Sequence, residues 1–103
     1  MAKPVVLTPI AKSDLENVSD WLSENWSLRV LDNFLDLYQA KILVIAEYPS
    51  RYPIIHQASK LRKAVLTKHN IILYREKDDH IEIISIFDTR QNPDKIAGFV
   101  KKM

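Results

Sequence analysis

Among the side chains of this sequence, the cations of its C-terminal half have the spacing of a binding surface. Lys60, Arg62, Lys63, Lys68, Arg75 and Arg90, with Gln91 after the last, lie in or beside the stretch LRKAVLTKHNIILYREKDDHIEIISIFDTRQ. A guanidinium offers paired donors to a phosphate or a carboxylate, and an ammonium supplies a compact point charge. Arg62, Lys63, Arg75 and Arg90 therefore form a candidate cluster for phosphate or an acidic peptide. The plainer alternative is a set of solvated strand faces whose charges cancel locally, Arg75 against Glu82 or Asp88 against Arg90.

Other chemistries are poorly served. The chain has no cysteine, which removes disulfides, thiolate zinc sites and a thiol nucleophile. A single glycine leaves no phosphate-cradling loop, and no HExxH, G-x-S-x-G or EF-hand pattern occurs. His56, His69 and His80 match no metal-ligand spacing and read as solvated turn residues, although an imidazole can transfer protons. Neither a metal nor another cofactor is expected. Tyr74 reads as core rather than as a stacking platform for a base, and Trp21 and Trp26 read as helix-packing residues.

A net charge of +2 is too mild to imply nucleic acid by itself. Its distribution is more informative. Asp14, Glu16, Asp20, Glu24, Asp32 and Asp36 fall in the N-terminal half, whereas the cations concentrate from Arg51 onward. One acidic and one basic flank should result. No apolar run is long enough to span a bilayer, and MAKPVVLTPIAKSD lacks the features of a signal peptide. A soluble cytoplasmic protein, one domain over residues 1–103, is expected.

Those cations need a sheet to hold them. Leu61–Lys68, Ile71–Glu76 and Ile81–Asp88 are β-branched and aromatic-rich runs with a period of two, separated by the short polar stretches Lys68-His69-Asn70 and Lys77–His80. Such spacing predicts an antiparallel meander. Strict alternation sets Ile81, Ile83, Ser85 and Phe87 on one face and Glu82, Ile84, Ile86 and Asp88 on the other. Ahead of the meander, VVL within Lys3–Leu7 reads as a strand. Thr8-Pro9 then opens an amphipathic helix that ends near Asn25. Ser27 caps a second, more apolar helix through Ala46, and Pro49 and Pro53 shape a loop before the sheet. Asn92-Pro93 with Ile96, Phe99 and Val100 predicts a short C-terminal helix. The fold expected is α+β, in the order β-α-α-β-β-β, with the helical hairpin on one sheet face and the other face covered only by the tail.

The opening VVLTPIAKSDLENV, the long helix running into EYPSRYP, and the strands LRKAVLTKHNIILYRE and IEIISIFDTRQNP together resemble the RelE/ParE family of bacterial toxins over nearly the whole chain. The resemblance rests most on Arg62, on Tyr74-Arg75 and on Arg90-Gln91. It implies the toxin of a type II toxin–antitoxin module, a class often described as plasmid stabilisation. It also implies a cognate antitoxin that wraps the toxin, with a homodimer or a toxin–antitoxin hetero-oligomer both compatible.

The family divides by mechanism. RelE-like members cut messenger RNA on the ribosome with sheet cations and a tyrosine or histidine in the tail, whereas ParE-like members act on DNA gyrase without a nuclease centre. Carried over by position, Arg90 matches the strand-end arginine, and Lys60, Arg62 and Lys63 fall where basic residues are expected. Ile71 stands where an arginine is usual, and the tail offers Phe99 instead of a proton-exchanging group. RNA cleavage by its own 2′-OH needs that hydroxyl deprotonated and the phosphate charge stabilised. Only the second need is met, unless His69 or Asp88 is recruited. The resemblance therefore points to a growth-inhibiting toxin that binds gyrase. The rival is a ribosome-dependent endoribonuclease using Arg62, Arg75 and Arg90 around the scissile phosphate, and a third reading is a degenerate toxin that binds only its partner.

Overall fold

The computed structural model describes residues 2–89. One strand, two helices and four further strands follow in order: β1 (Val5–Leu7), α1 (Pro9–Asn25), α2 (Leu28–Glu47), β2 (Ile54–His56), β3 (Leu61–Val65), β4 (Asn70–Glu76) and β5 (Ile81–Asp88). This is the α+β order expected, with one strand added. β2 lies inside the segment read as loop, because three residues between Pro53 and a turn are too few to show a period.

Both helices begin where their caps say they should. The Thr8 hydroxyl accepts the Ala11 N–H at 3.1 Å and donates to the Ile84 carbonyl at 2.9 Å, so one side chain caps α1 and ties it to β5. Ser27 accepts the Val30 N–H at 3.2 Å. Caps of this kind contribute about 1 kcal/mol each. Only Trp26 and Ser27 separate the helices, which makes them an antiparallel hairpin.

The sheet order is β1-β5-β4-β3-β2. β1 pairs parallel with β5, and the remaining neighbours are antiparallel. Phe34, Tyr38 and Ile45 of α2 pack with Ile72, Tyr74 and Ile83 of the sheet in the larger core. Burying side chains of this size stabilises by about 1.5–3 kcal/mol each. A second cluster, Leu61, Ile71, Leu73 and Ile84, lies on the opposite face. On that face Leu61 and Leu73 have no exposed surface, and the tail expected to cover it lies outside the described residues. The C-terminal helix expected from Asn92-Pro93 lies outside the described residues.

Strict alternation fails in β5. Tyr74 faces Ile83 while Leu73 faces Ser85, so β5 carries one extra residue at this point. A bulge of this kind shifts the phase by one. Ile86 consequently joins Ile81 and Ile83 in the helix-side core instead of standing opposite them. Asp14 of α1 secures the irregularity, accepting the Ser85 hydroxyl at 2.7 Å and the Ile86 N–H at 3.0 Å. Asp14 is thus a structural acceptor rather than part of a purely solvated acidic flank.

Candidate macromolecule-binding surface

The sheet divides the cations that the sequence groups together. Arg62 stands opposite Tyr74 on the helix side, and Lys63 stands opposite Leu73 on the other. Arg75 shares that second face and is paired across strands with Glu82, its Nη2 and Nε lying 2.8 and 3.2 Å from Oε1. Local pairing therefore describes Arg75. Arg62 is also engaged, donating through Nη1 to the Tyr52 carbonyl at 2.6 Å and to the Ser50 carbonyl at 3.3 Å. Lys60 is exposed in the turn after β2 with φ of 59°, in the left-handed region that favours glycine. Lys68 is exposed in the β3–β4 turn. Arg90 and Gln91 lie outside the described residues.

The histidines are local too. His56 Nδ1 accepts the Ser59 N–H at 3.3 Å and lies 2.7 Å from the Ser59 hydroxyl. His80 Nδ1 is 2.7 Å from Asp79, and this hydrogen bond holds the Asp79 carboxyl below the usual carboxylate range. Among the described residues no three acidic or histidine side chains are grouped to hold a metal ion.

Two regions that the cation pattern does not mark have more shape. The first is the connection after α2. Tyr74 is fully buried, and its hydroxyl donates to the Pro49 carbonyl at 2.7 Å. Burial pushes its pKa up to about 12, against a smaller lowering by Arg62, so the phenol remains a donor. The Tyr52 ring meets Tyr74 edge-on, centroids 6.4 Å apart at 87°, and Lys41 Nζ sits 5.2 Å from the Tyr52 centroid. Arg62 closes the other side of the loop. The Arg51 N–H donates to the Tyr48 carbonyl at 3.1 Å, which folds the exposed segment on itself. Tyr48 and Arg51 are left outside, around an open concavity of about 560 Å³ lined by Glu47, Tyr48, Pro49, Ser50 and Arg51.

The second region lies at the other end of α2. A concavity of about 290 Å³ opens between the helices and the β3–β4 turn, with Trp21, Trp26, Leu22 and Leu37 on its apolar side and Thr67, His69 and Asn70 on its polar side. The turn is tied across its ends: the Thr67 hydroxyl accepts the Asn70 N–H at 3.0 Å and lies 2.7 Å from Asn70 Oδ1. Trp26 is 64 % exposed, which corrects the expectation that it serves helix packing, whereas Trp21 is 39 % exposed. The available signal was that Trp26 follows the last residue of α1, where no helical stripe continues.

The family model described as the ParE toxin of the type II toxin–antitoxin system parDE matches residues 5–93. A search of curated proteins found no match. Among solved structures, the chromosomal ParDE toxin–antitoxin system from P. aeruginosa is similar with a TM-score of 0.64 at 16 % identity, over 84 % of this chain and 96 % of that one. The RelBE2 toxin–antitoxin complex from Mycobacterium tuberculosis is similar with a TM-score of 0.56 at 17 % identity, over 85 % and 99 % of the two chains.

Proposed function

Because the chain belongs to the ParE toxin family of type II toxin–antitoxin systems, we propose that it inhibits growth by binding DNA gyrase in the cytoplasm and is held inactive by a cognate antitoxin. The observation that carries the choice of binding over catalysis is the divergence of the sheet cations. Arg62 and Arg75 lie on opposite faces, and each already serves an internal acceptor. A scissile phosphate needs donors that converge on one point, together with a group to take the 2′-OH proton. A binding toxin needs neither.

The antitoxin's seat in this reading is the tryptophan-lined concavity at the hairpin turn. A partner that must stay bound in the resting cell needs apolar burial with aromatic anchors, and Trp21, Trp26 and Leu37 provide exposed apolar surface there. The solved neighbours are a ParDE toxin–antitoxin system and a RelBE2 toxin–antitoxin complex, which supports a partner of that kind. Among the described residues no helix is long and apolar enough to cross a membrane.

The test uses the purified chain in two assays. In a gyrase supercoiling reaction, supercoiling should stop and cleaved DNA accumulate. In a translating extract, mapped message ends should not change. Codon-positioned cuts with unaffected gyrase would replace this reading by the endoribonuclease.

A further inference from the structure

Tyr48 and Arg51 do not belong to the sheet surface, yet three side chains are engaged in fixing the loop that carries them. The Tyr74 hydroxyl holds the Pro49 carbonyl, the Arg62 guanidinium holds the Tyr52 and Ser50 carbonyls, and Lys41 lies against the Tyr52 ring. Fixing a loop in advance lowers the entropy lost when a partner docks on it. Tyrosine and arginine are the residue types over-represented among side chains that dominate binding energy. Here one of each stands exposed on a braced backbone, linked by the Arg51 N–H to Tyr48 carbonyl bond.

Charge narrows the partner. Lys41, Arg51 and Arg62 gather at this loop, whereas the Lys63 side chain stands on the other face of β3. Against them stand Glu47, in the lining of the concavity, and Glu76, whose carboxylate is taken by Lys3 at 2.9 Å. An anionic partner is favoured. A net charge of +2 over the chain is small for a nucleic-acid binder, which relies on many phosphate contacts. An acidic polypeptide needs only the few cations present.

Resting on the reading of this chain as a target-binding toxin, we propose that the Tyr48–Arg51 loop is the docking site for an acidic segment of the protein target. Tyr48 supplies the apolar anchor and Arg51 the paired donors for a carboxylate. The antitoxin is the less fitting occupant. It requires lasting apolar burial, which the tryptophan concavity offers along the first half of the 20-residue α2, its nearest lining residue Leu37 about 15 Å from Glu47. A small charged anchor suits a contact made once that partner has gone.

Tyr48→Ala, Arg51→Glu and Glu47→Gln change exposed side chains only and should leave the circular dichroism spectrum and melting temperature as in the wild type. Growth inhibition, affinity for purified gyrase holoenzyme and affinity for the antitoxin are then measured on each folded variant. Tyr48→Ala and Arg51→Glu should weaken gyrase binding by about tenfold or more and relieve growth inhibition, with antitoxin affinity unchanged. Glu47→Gln should tighten gyrase binding. A toxic wild type with equally toxic variants overturns the inference and leaves the toxin reading standing. Lost antitoxin affinity with retained toxicity assigns the loop to the other partner and overturns it as well. Lost toxicity with unchanged gyrase binding overturns the acidic protein occupant. A wild-type chain that inhibits neither gyrase nor growth overturns the reading and the inference together.

Discussion

The two ends of α2 were built by different means. At its start, Trp26 and Leu28 are mostly exposed, and Ser27 does little more than cap the helix. At its end, the chain turns through Pro49–Tyr52 under the hold of Tyr74, Arg62 and Lys41. One end keeps apolar surface available; the other keeps a short backbone segment still. Apolar surface suits a large, lasting contact, since affinity there comes from area removed from water and from aromatic anchors. A braced loop with one tyrosine and one arginine suits a small contact whose strength comes from geometry. On the two proposals above, a chain of 103 residues would serve two partners without giving them one shared patch.

The contrast can be broken most severely at Tyr74. Tyr74→Ala empties a buried aromatic site between sheet and loop and should cost about 3–5 kcal/mol, measured as a loss in denaturant midpoint. Tyr74→Phe keeps the ring and strands only the Pro49 carbonyl, so a loss of about 1–2 kcal/mol is expected. In that milder variant the loop end should exchange its amide hydrogens faster while the hairpin end exchanges as before. Equal change at both ends would mean that the tether does not act locally.

Alkali offers a second handle on the same residue. Tyr74 has a folded pKa of about 12 against an ordinary 10.0, raised by burial. The folded state therefore holds its proton over a range where the unfolded chain releases it. Stability from this group is complete below pH 10 and is lost as pH rises from 10 through 12. Tyr38 is raised in the same direction, also by burial. Denaturation at pH 9 and pH 11 should show a smaller alkaline loss in Tyr74→Phe than in the wild type. The same loss in both would place the titration elsewhere.

Lys60→Gly probes the turn before β3, where a residue with a β-carbon occupies a left-handed conformation. Relief should raise stability by up to about 1 kcal/mol. Toxicity should not change, since Lys60 is not part of the braced loop. At the other end, Trp26→Ala should alter stability by less than about 0.5 kcal/mol, because little of that ring is removed from water on folding. Its antitoxin affinity should nevertheless fall, as followed by titration calorimetry.

Much of the architecture was legible in the sequence because its signals are local. Thr8-Pro9 and Ser27 marked both helix starts, and the period-two runs marked β3, β4 and β5. β2 escaped because it is short, and its pairing depends on Leu61 and Arg62 rather than on its own pattern. The parallel pairing of β1 with β5 is a contact between distant segments that no window contains. The bulge in β5 was hidden for a related reason: ISI reads as simple alternation until Asp14, far away in sequence, is seen to accept the Ile86 N–H.

The site was less legible than the fold. Cations close in sequence fall on alternate faces of a strand, so a cluster such as Arg62 and Lys63 separates as the strand forms. The pairing of Arg75 with Glu82 could be named from the hairpin register, and the structure has it. The braced loop could not be foreseen, since its hold depends on Tyr74 reaching a carbonyl 25 residues earlier.

Arg51→Glu and Trp26→Ala, each expressed with and without the antitoxin, test the two-ended account most directly by growth. Arg51→Glu should no longer stop growth yet still bind the antitoxin. Trp26→Ala should stop growth and escape neutralisation. If each substitution instead weakens both activities together, the two ends of α2 are not separate sites and the account is wrong.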